Sequence, residues 1–224
     1  MIIVHHLEHS RSQRILWLLE ELGQRYELRR YKRDPKTLLA PPELLQVHPL
    51  GKSPVITEGE VTVAESGAIV EYLLDTHDPG GSMRPPPSTP ARRAFTYWLH
   101  FAEGSAMPPL LMKLVFHKVR TAKVPFLIRP VLRGVADKVD ADFIDPNIRR
   151  QLDFMEGELR ARDWFAGAAF SAADVMMSFP LEAAAARGGL DDHWPRLMDW
   201  LQRIHARPAY HRALQAGGPF HILD

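Results

Sequence analysis

A stretch rich in proline, glycine and serine, "DPGGSMRPPPSTP", closes at residue 90 and separates two kinds of pattern. It carries nothing apolar enough to pack as an element, so residues 79–90 read as a linker. Before it, β-branched runs alternate with helical stripes. "MIIVHHL" is a strand, and "SRSQRILWLLEELGQ" places Ile15, Leu16, Leu18, Leu19 and Leu22 near helical spacing, with Gly23 as the stop. "YELRRYKR" is a second strand, and "PPELLQVHPLG" carries a short helix ending before Pro49. "SPVITEG" and "VTVAES" form a hairpin turning at Glu58, Gly59 and Glu60, and "SGAIVEYLLDTHD" closes the unit as a helix. The predicted order over residues 1–78 is βαβαββα, an α/β unit with a mixed sheet. Beyond the linker the strand signals stop. Six helical patterns over residues 91–224 predict an all-α second domain, without internal repeats.

Composition removes several function classes. Lys and Arg number 28 against 27 acidic residues, a formal charge of +1, so no global field favours nucleic acid or an anionic membrane. The absence of cysteine excludes disulfides, thiolate metal sites and cysteine nucleophiles; any thiol chemistry takes its thiol from a ligand. The start "MIIVHHLEHS" lacks the charge and apolar run of a secretory signal, and no run reaches the roughly 18 apolar residues of a membrane span. The expected location is cytoplasmic. His5, His6, His9 and Glu8 crowd the first turn, but His5 and His6 face opposite sides of a strand, and no metal site is expected.

Pro54 stands where the first hairpin strand should begin, a position that would cost a central strand one ladder hydrogen bond. It follows "GK" and one residue, and the hairpin it opens leads to Glu65 and Ser66 at a helix start. A cis Ser53–Pro54 bond would turn the Ser53 N–H and C=O outward, where they pair antiparallel with a bound peptide. Ser66, at the free N–H groups of the helix, suits a carboxylate, and Glu65 suits an α-ammonium group. Taken singly, the two read equally well as a helix cap and a solvated acid. Together they fit an amino-acid head group carrying both charges.

The segments "GKSPVI" and "AESGAIVEYL" resemble the glutathione-binding half of the thioredoxin-like domain in cytosolic glutathione transferases. The resemblance spans the chain, and "SRSQRILWLLEELG" with "HPLGKSPVI" is most similar to the bacterial and fungal branch related to the yeast Gtt-type enzymes. In "FSAADVMMSFPL", Ser171 and Asp174 have the spacing of the capping box that starts a buried helix in the second domain, a folding role. The resemblance implies that Ser53 pairs its backbone with the cysteinyl part of glutathione, that Lys52 meets the glycyl carboxylate, and that Glu65 and Ser66 hold the γ-glutamyl head. Where many relatives have "VP" this chain has "SP", a small departure if the backbone makes the contact. It also implies a homodimer, glutathione as co-substrate with no prosthetic group, and a hydrophobic small molecule as second substrate.

Free thiols ionise near pH 8.5, so catalysis must raise the thiolate fraction. A serine-type member does so with a hydroxyl at the turn after the first strand. Ser10, four residues before Arg14, has the implied spacing; Ser12 competes, and either also reads as a helix cap. Arg11 brings a cation that lowers a nearby sulfur's pKa. Family analogy puts the second-substrate pocket on the helix carrying Met107, Met112 and Phe116 and on the chain end with Phe220, with Glu103 reaching glutathione across a dimer. Each of the apolar four also reads as helix core. The expected activity is glutathione transfer to an electrophile, with peroxide reduction by the same thiolate; the alternatives are a non-catalytic glutathione-binding or scaffold protein and a glutathione-dependent disulfide reductase.

Overall fold

The computed structural model describes residues 1–218, 220 and 222. The first half is a four-stranded sheet of β1 (Ile2–Leu7), β2 (Tyr26–Tyr31), β3 (Val55–Glu58) and β4 (Val61–Ala64), in the order β2-β1-β3-β4. β2 runs parallel to β1, and β3 antiparallel to it, giving the mixed sheet expected. β1 is central and buried on both faces, which is why its sequence reads as one continuous run. Helices α1 (Ser12–Glu21) and α2 (Ser66–His77) cover the sheet. The helix expected in "PPELLQVHPLG" is a single 3₁₀ turn, Pro42–Gln46, confined between Pro41 and Pro49. The β3–β4 turn needs only Gly59 and Glu60, with Gly59 at φ +59°.

After the segment at 78–89 come α3 (Pro90–Phe101), α4 (Met107–Arg120), α5 (Arg129–Val139), α6 (Asp145–Ala161), α7 (Ala172–Ala183), α8 (Pro195–His205) and α9 (Pro208–Gly217). Thr89 caps α3 by accepting from Arg92 N–H at 3.1 Å, with Pro90 in the first turn. A π turn, Ala102–Ala106, joins α3 to α4, and another, Asp140–Ile144, joins α5 to α6. The final helical pattern divides at Pro208, whose ring holds Arg207 extended. No helix among the described residues is long and apolar enough to cross a membrane.

The two halves share one core. α1 packs against α7 and α9, with Trp17 edge-on to Tyr210 at 5.1 Å. Arg207 grips both oxygens of Glu21 at 2.6 and 2.8 Å, tying the rim of that contact. α7 contains Pro180, which lacks an N–H and so leaves the Met176 carbonyl without its helical donor. Arg14 of α1 supplies one, donating Nη1–H to Met176 O at 2.7 Å across the interface.

Candidate active site

A cavity of about 290 Å³ opens where the two halves meet. The turn before α1 contributes Arg11, the approach to β3 contributes Lys52, Ser53 and Pro54, the start of α2 contributes Glu65 and Ser66, and the first π turn contributes Glu103. His48, Leu50 and Leu111 complete its mouth. A larger open cleft of about 710 Å³, between the start of α3 and the end of α6, contains none of the residues that the sequence singles out.

The Ser53–Pro54 bond is cis. The Ser53 hydroxyl donates to His5 O at 2.8 Å and accepts from Leu7 N–H at 3.2 Å, fastening the segment to β1. The Ser53 main-chain N–H and C=O are left without a partner among the described residues. Upstream, Gly51 takes φ +56°, a conformation that L side chains rarely adopt, so the turn that presents Lys52 favours glycine.

Glu65 sits at φ +74°, ψ +127°, outside the regions open to L-residues, at a cost of about 1–3 kcal/mol. Its carbonyl accepts the first helical bond of α2, from Ile69 N–H at 2.9 Å, so the strained residue is fixed by the helix it starts. Ser66 is buried, and its hydroxyl oxygen accepts from Arg14 Nη2–H at 3.1 Å. That leaves the Ser66 proton to donate into the cavity.

Arg14 is the hub of the site and the residue that sequence reasoning used only as a spacing mark. Its side chain is 2% exposed, and it also pairs with Glu103. Burial pulls its guanidinium below the ordinary value while Glu103 opposes the shift. Burial alone would push Glu103 up, yet the guanidinium groups of Arg14 and Arg11 outweigh it and hold the carboxylate below its ordinary range. Arg11 Nε lies 3.1 Å from Glu103 Oε2, and both guanidinium carbons stand 5.4 Å from the Phe179 ring centre. A signal was present in the sequence: Arg14 falls on the apolar face of α1, one turn before Leu18, and Pro180 announces a carbonyl in need of a donor.

The structure places the remaining expected residues as follows. Neither Ser10 nor Ser12 lines the cavity. Both are buried, the Ser10 Oγ is 2.8 Å from Ser12 Oγ, and Ser12 Oγ is 2.8 Å from His6 Nδ1. The turn enters α1 at Ser12, and both hydroxyls fold back under it because buried oxygens take the nearest partners. Glu103 lines the cavity of its own chain, where it pairs with Arg11 and Arg14. Met107 is buried in the core, Met112, Phe116 and Phe220 pack against it, and Phe220 lies 6.1 Å from the Phe179 ring. The phase of α4 is fixed by Met107 and Leu110 pointing inward, so Leu111 is its residue at the cavity.

The profile of the glutathione S-transferase N-terminal domain matches residues 1–75, and that of the C-terminal domain matches residues 107–208. Glutathione S-transferase 1 of Saccharomyces cerevisiae is 36% identical over 94% of this chain and 92% of its own. A crystal structure of a glutathione S-transferase from Actinobacillus pleuropneumoniae superposes with a TM-score of 0.78 at 30% identity, over 97% of this chain and 93% of that one. A sphingomonad glutathione S-transferase complexed with glutathione shares the fold, with a TM-score of 0.74 at 24% identity over 96% and 98%. A thioredoxin-like sheet domain followed by a helical domain, with a cavity between them, defines the two-domain glutathione transferase class. The chain belongs to the glutathione S-transferase family, and it is a transferase.

Proposed function

We propose that the cavity holds glutathione extended, with the γ-glutamyl head between Glu65 and Ser66, the cysteinyl amide against the Ser53 main chain, and the glycyl carboxylate at Lys52. The observation that carries this reading is the pairing at the start of α2: a carboxylate on a fixed, strained residue beside a hydroxyl whose oxygen is already occupied by Arg14. The first takes an ammonium group and the second gives a proton to a carboxylate, at a helix N-terminus that adds its own N–H groups. The bound thiolate then attacks an apolar electrophile seated at Leu50 and Leu111. The new C–S bond uses the sulfur electron pair, and the leaving group departs with its own.

Calorimetric titration with glutathione tests the placement. Glu65→Gln and Ser66→Ala are each expected to weaken binding by about tenfold or more, the value of one charge-assisted hydrogen bond. Unchanged affinity in both variants would sink it. Assays with a chloronitrobenzene and with an organic hydroperoxide, run on the same protein, separate conjugation from peroxide reduction.

The protein acts in this reading as a homodimer in the cytoplasm. Val115, Phe126, Leu127 and Val131 leave an apolar face of α4, α5 and their connection exposed, and a second copy would cover it. Light scattering at micromolar concentration is expected to give twice the chain mass of 25.5 kDa; the single-chain mass would refute the dimer.

A further inference from the structure

The turn after β1 offers a bound sulfur one group, and it is a cation. Ser10, Arg11 and Ser12 all lie there, but Arg11 alone among them lines the cavity. Its side chain is 36% exposed, against 2% for Arg14. The protons of the two serines are spoken for. Burial holds His6 down to about 4, so its ring is neutral. The Ser12 hydroxyl donates to Leu7 O at 3.2 Å, and its oxygen lies 2.8 Å from His6 Nδ1. Ser12 then has no proton left for Ser10, so the 2.8 Å contact between them is a donation from Ser10 to Ser12. The Ser12 N–H donates to Ser10 Oγ at 3.2 Å and closes the loop. These directions are assigned from the partners, and they leave neither hydroxyl a proton to give to a thiolate.

Charge at this corner is uneven. Two guanidinium groups share one carboxylate, Glu103, and Arg14 commits its donors to Met176 O, Ser66 and Glu103. Glu182 of α7 also acts on Arg14, and Arg33, held by Glu8, acts on Arg11 from beyond β2. The other charged or titratable groups facing the cavity are Lys52, His48 and Glu65, on the approach to β3 and at the start of α2.

We propose that Arg11 is the catalytic residue that holds the glutathione sulfur as a thiolate, with Glu103 as the positioning residue that aims it, and that Ser10 and Ser12 brace the turn. The inference rests on the glutathione reading given above. On binding, the thiol releases its proton to solvent, and the anion pairs with the guanidinium, which keeps its own protons. An opposite charge within about 4–6 Å lowers a thiol pKa by roughly one to three units.

The test follows the ultraviolet thiolate band of bound glutathione against pH, beside calorimetry on the same samples. Arg11→Ala is expected to raise the apparent thiol pKa by about one unit or more and to lower kcat at neutral pH about tenfold, while glutathione affinity changes less than about threefold. Arg11→Lys, which keeps the charge, recovers most of the pKa shift. Glu103→Gln leaves the cation unaimed and shifts kcat with little change in KM for glutathione. Ser10→Ala moves the thiol pKa by less than about 0.3 unit. If Ser10→Ala abolished the band and Arg11→Ala preserved it, the assignment would be overturned in favour of the serine. No heat of binding in the unaltered protein would overturn the glutathione reading, and this inference with it.

Discussion

Replacing Asp174 by alanine is expected to destabilise the protein by about 4 kcal/mol, more than any surface substitution and several times the loss from a simple helix cap. Asp174 is fully buried and accepts four hydrogen bonds. Oδ1 takes Phe165 N–H at 3.0 Å and Trp200 Nε1–H at 3.1 Å, while Oδ2 takes Ser171 N–H at 3.0 Å and the Ser171 hydroxyl at 3.2 Å. Alanine would strand those donors in the core, where each orphaned group costs about 1–3 kcal/mol before relaxation. The bonds join α7 to the loop before it and to α8, so the loss falls on the packing of the helical half as well as on one cap. Thermal melts should show a fall of roughly 8–16 °C for a chain of this size. Ser171→Ala is the comparison and should cost about 1 kcal/mol. Similar small losses in both variants would reduce Asp174 to an ordinary cap.

Arg14→Met is the second large effect, about 3–5 kcal/mol, because it removes a buried cation that serves two buried acceptors and a half-buried carboxylate. The substitution keeps much of the volume but leaves Met176 O beside Pro180 with no donor, Ser66 Oγ without its bond, and Glu103 with Arg11 alone. Glutathione affinity should fall too, since Ser66 would be free to turn its proton away from the cavity. Adding Glu103→Gln is expected to return part of the lost stability, as some of the cost is a half-buried carboxylate facing fewer cations. Denaturant melts of the single and double variants check this. A single variant within about 1 kcal/mol of the unaltered protein would mean that water or Arg11 replaces Arg14 at no great cost.

The two effects differ in how far they could be read beforehand. Ser171 and Asp174 announce a capping box by spacing, and that reading stands. The extra bonds from Phe165 and Trp200 come from elements 9 and 26 residues away, which no local pattern contains. Arg14 was visible as a charge on an apolar helix face, but its carbonyl partner lies 162 residues along the chain. The Ser10 and Ser12 assignment shows a different limit. Spacing located the turn correctly, yet which side chain of "SRS" faces the cavity depends on where α1 begins and on His6 and Gly217 beneath it. For α4 the sequence located the helix, while the phase that makes Leu111 outward and Met107 inward was set by packing after the π turn.

By itself the sequence determined the order of elements, the mixed sheet followed by a helical half, and the stretch from Lys52 to Ser66 that we propose holds the peptide. Those are local matters: side-chain period, turn chemistry and helix starts are written in residues a few positions apart. Only the tertiary structure decided which groups share the cavity with that stretch. Arg11, Glu103 and Leu111 meet it because α1 and the first π turn both pack on α7, and Arg14 is buried there because Pro180 left a carbonyl unpaired. The physical reason is that desolvated charges and orphaned polar groups are costly, so their partners are chosen by the whole packed core and not by neighbours in the chain.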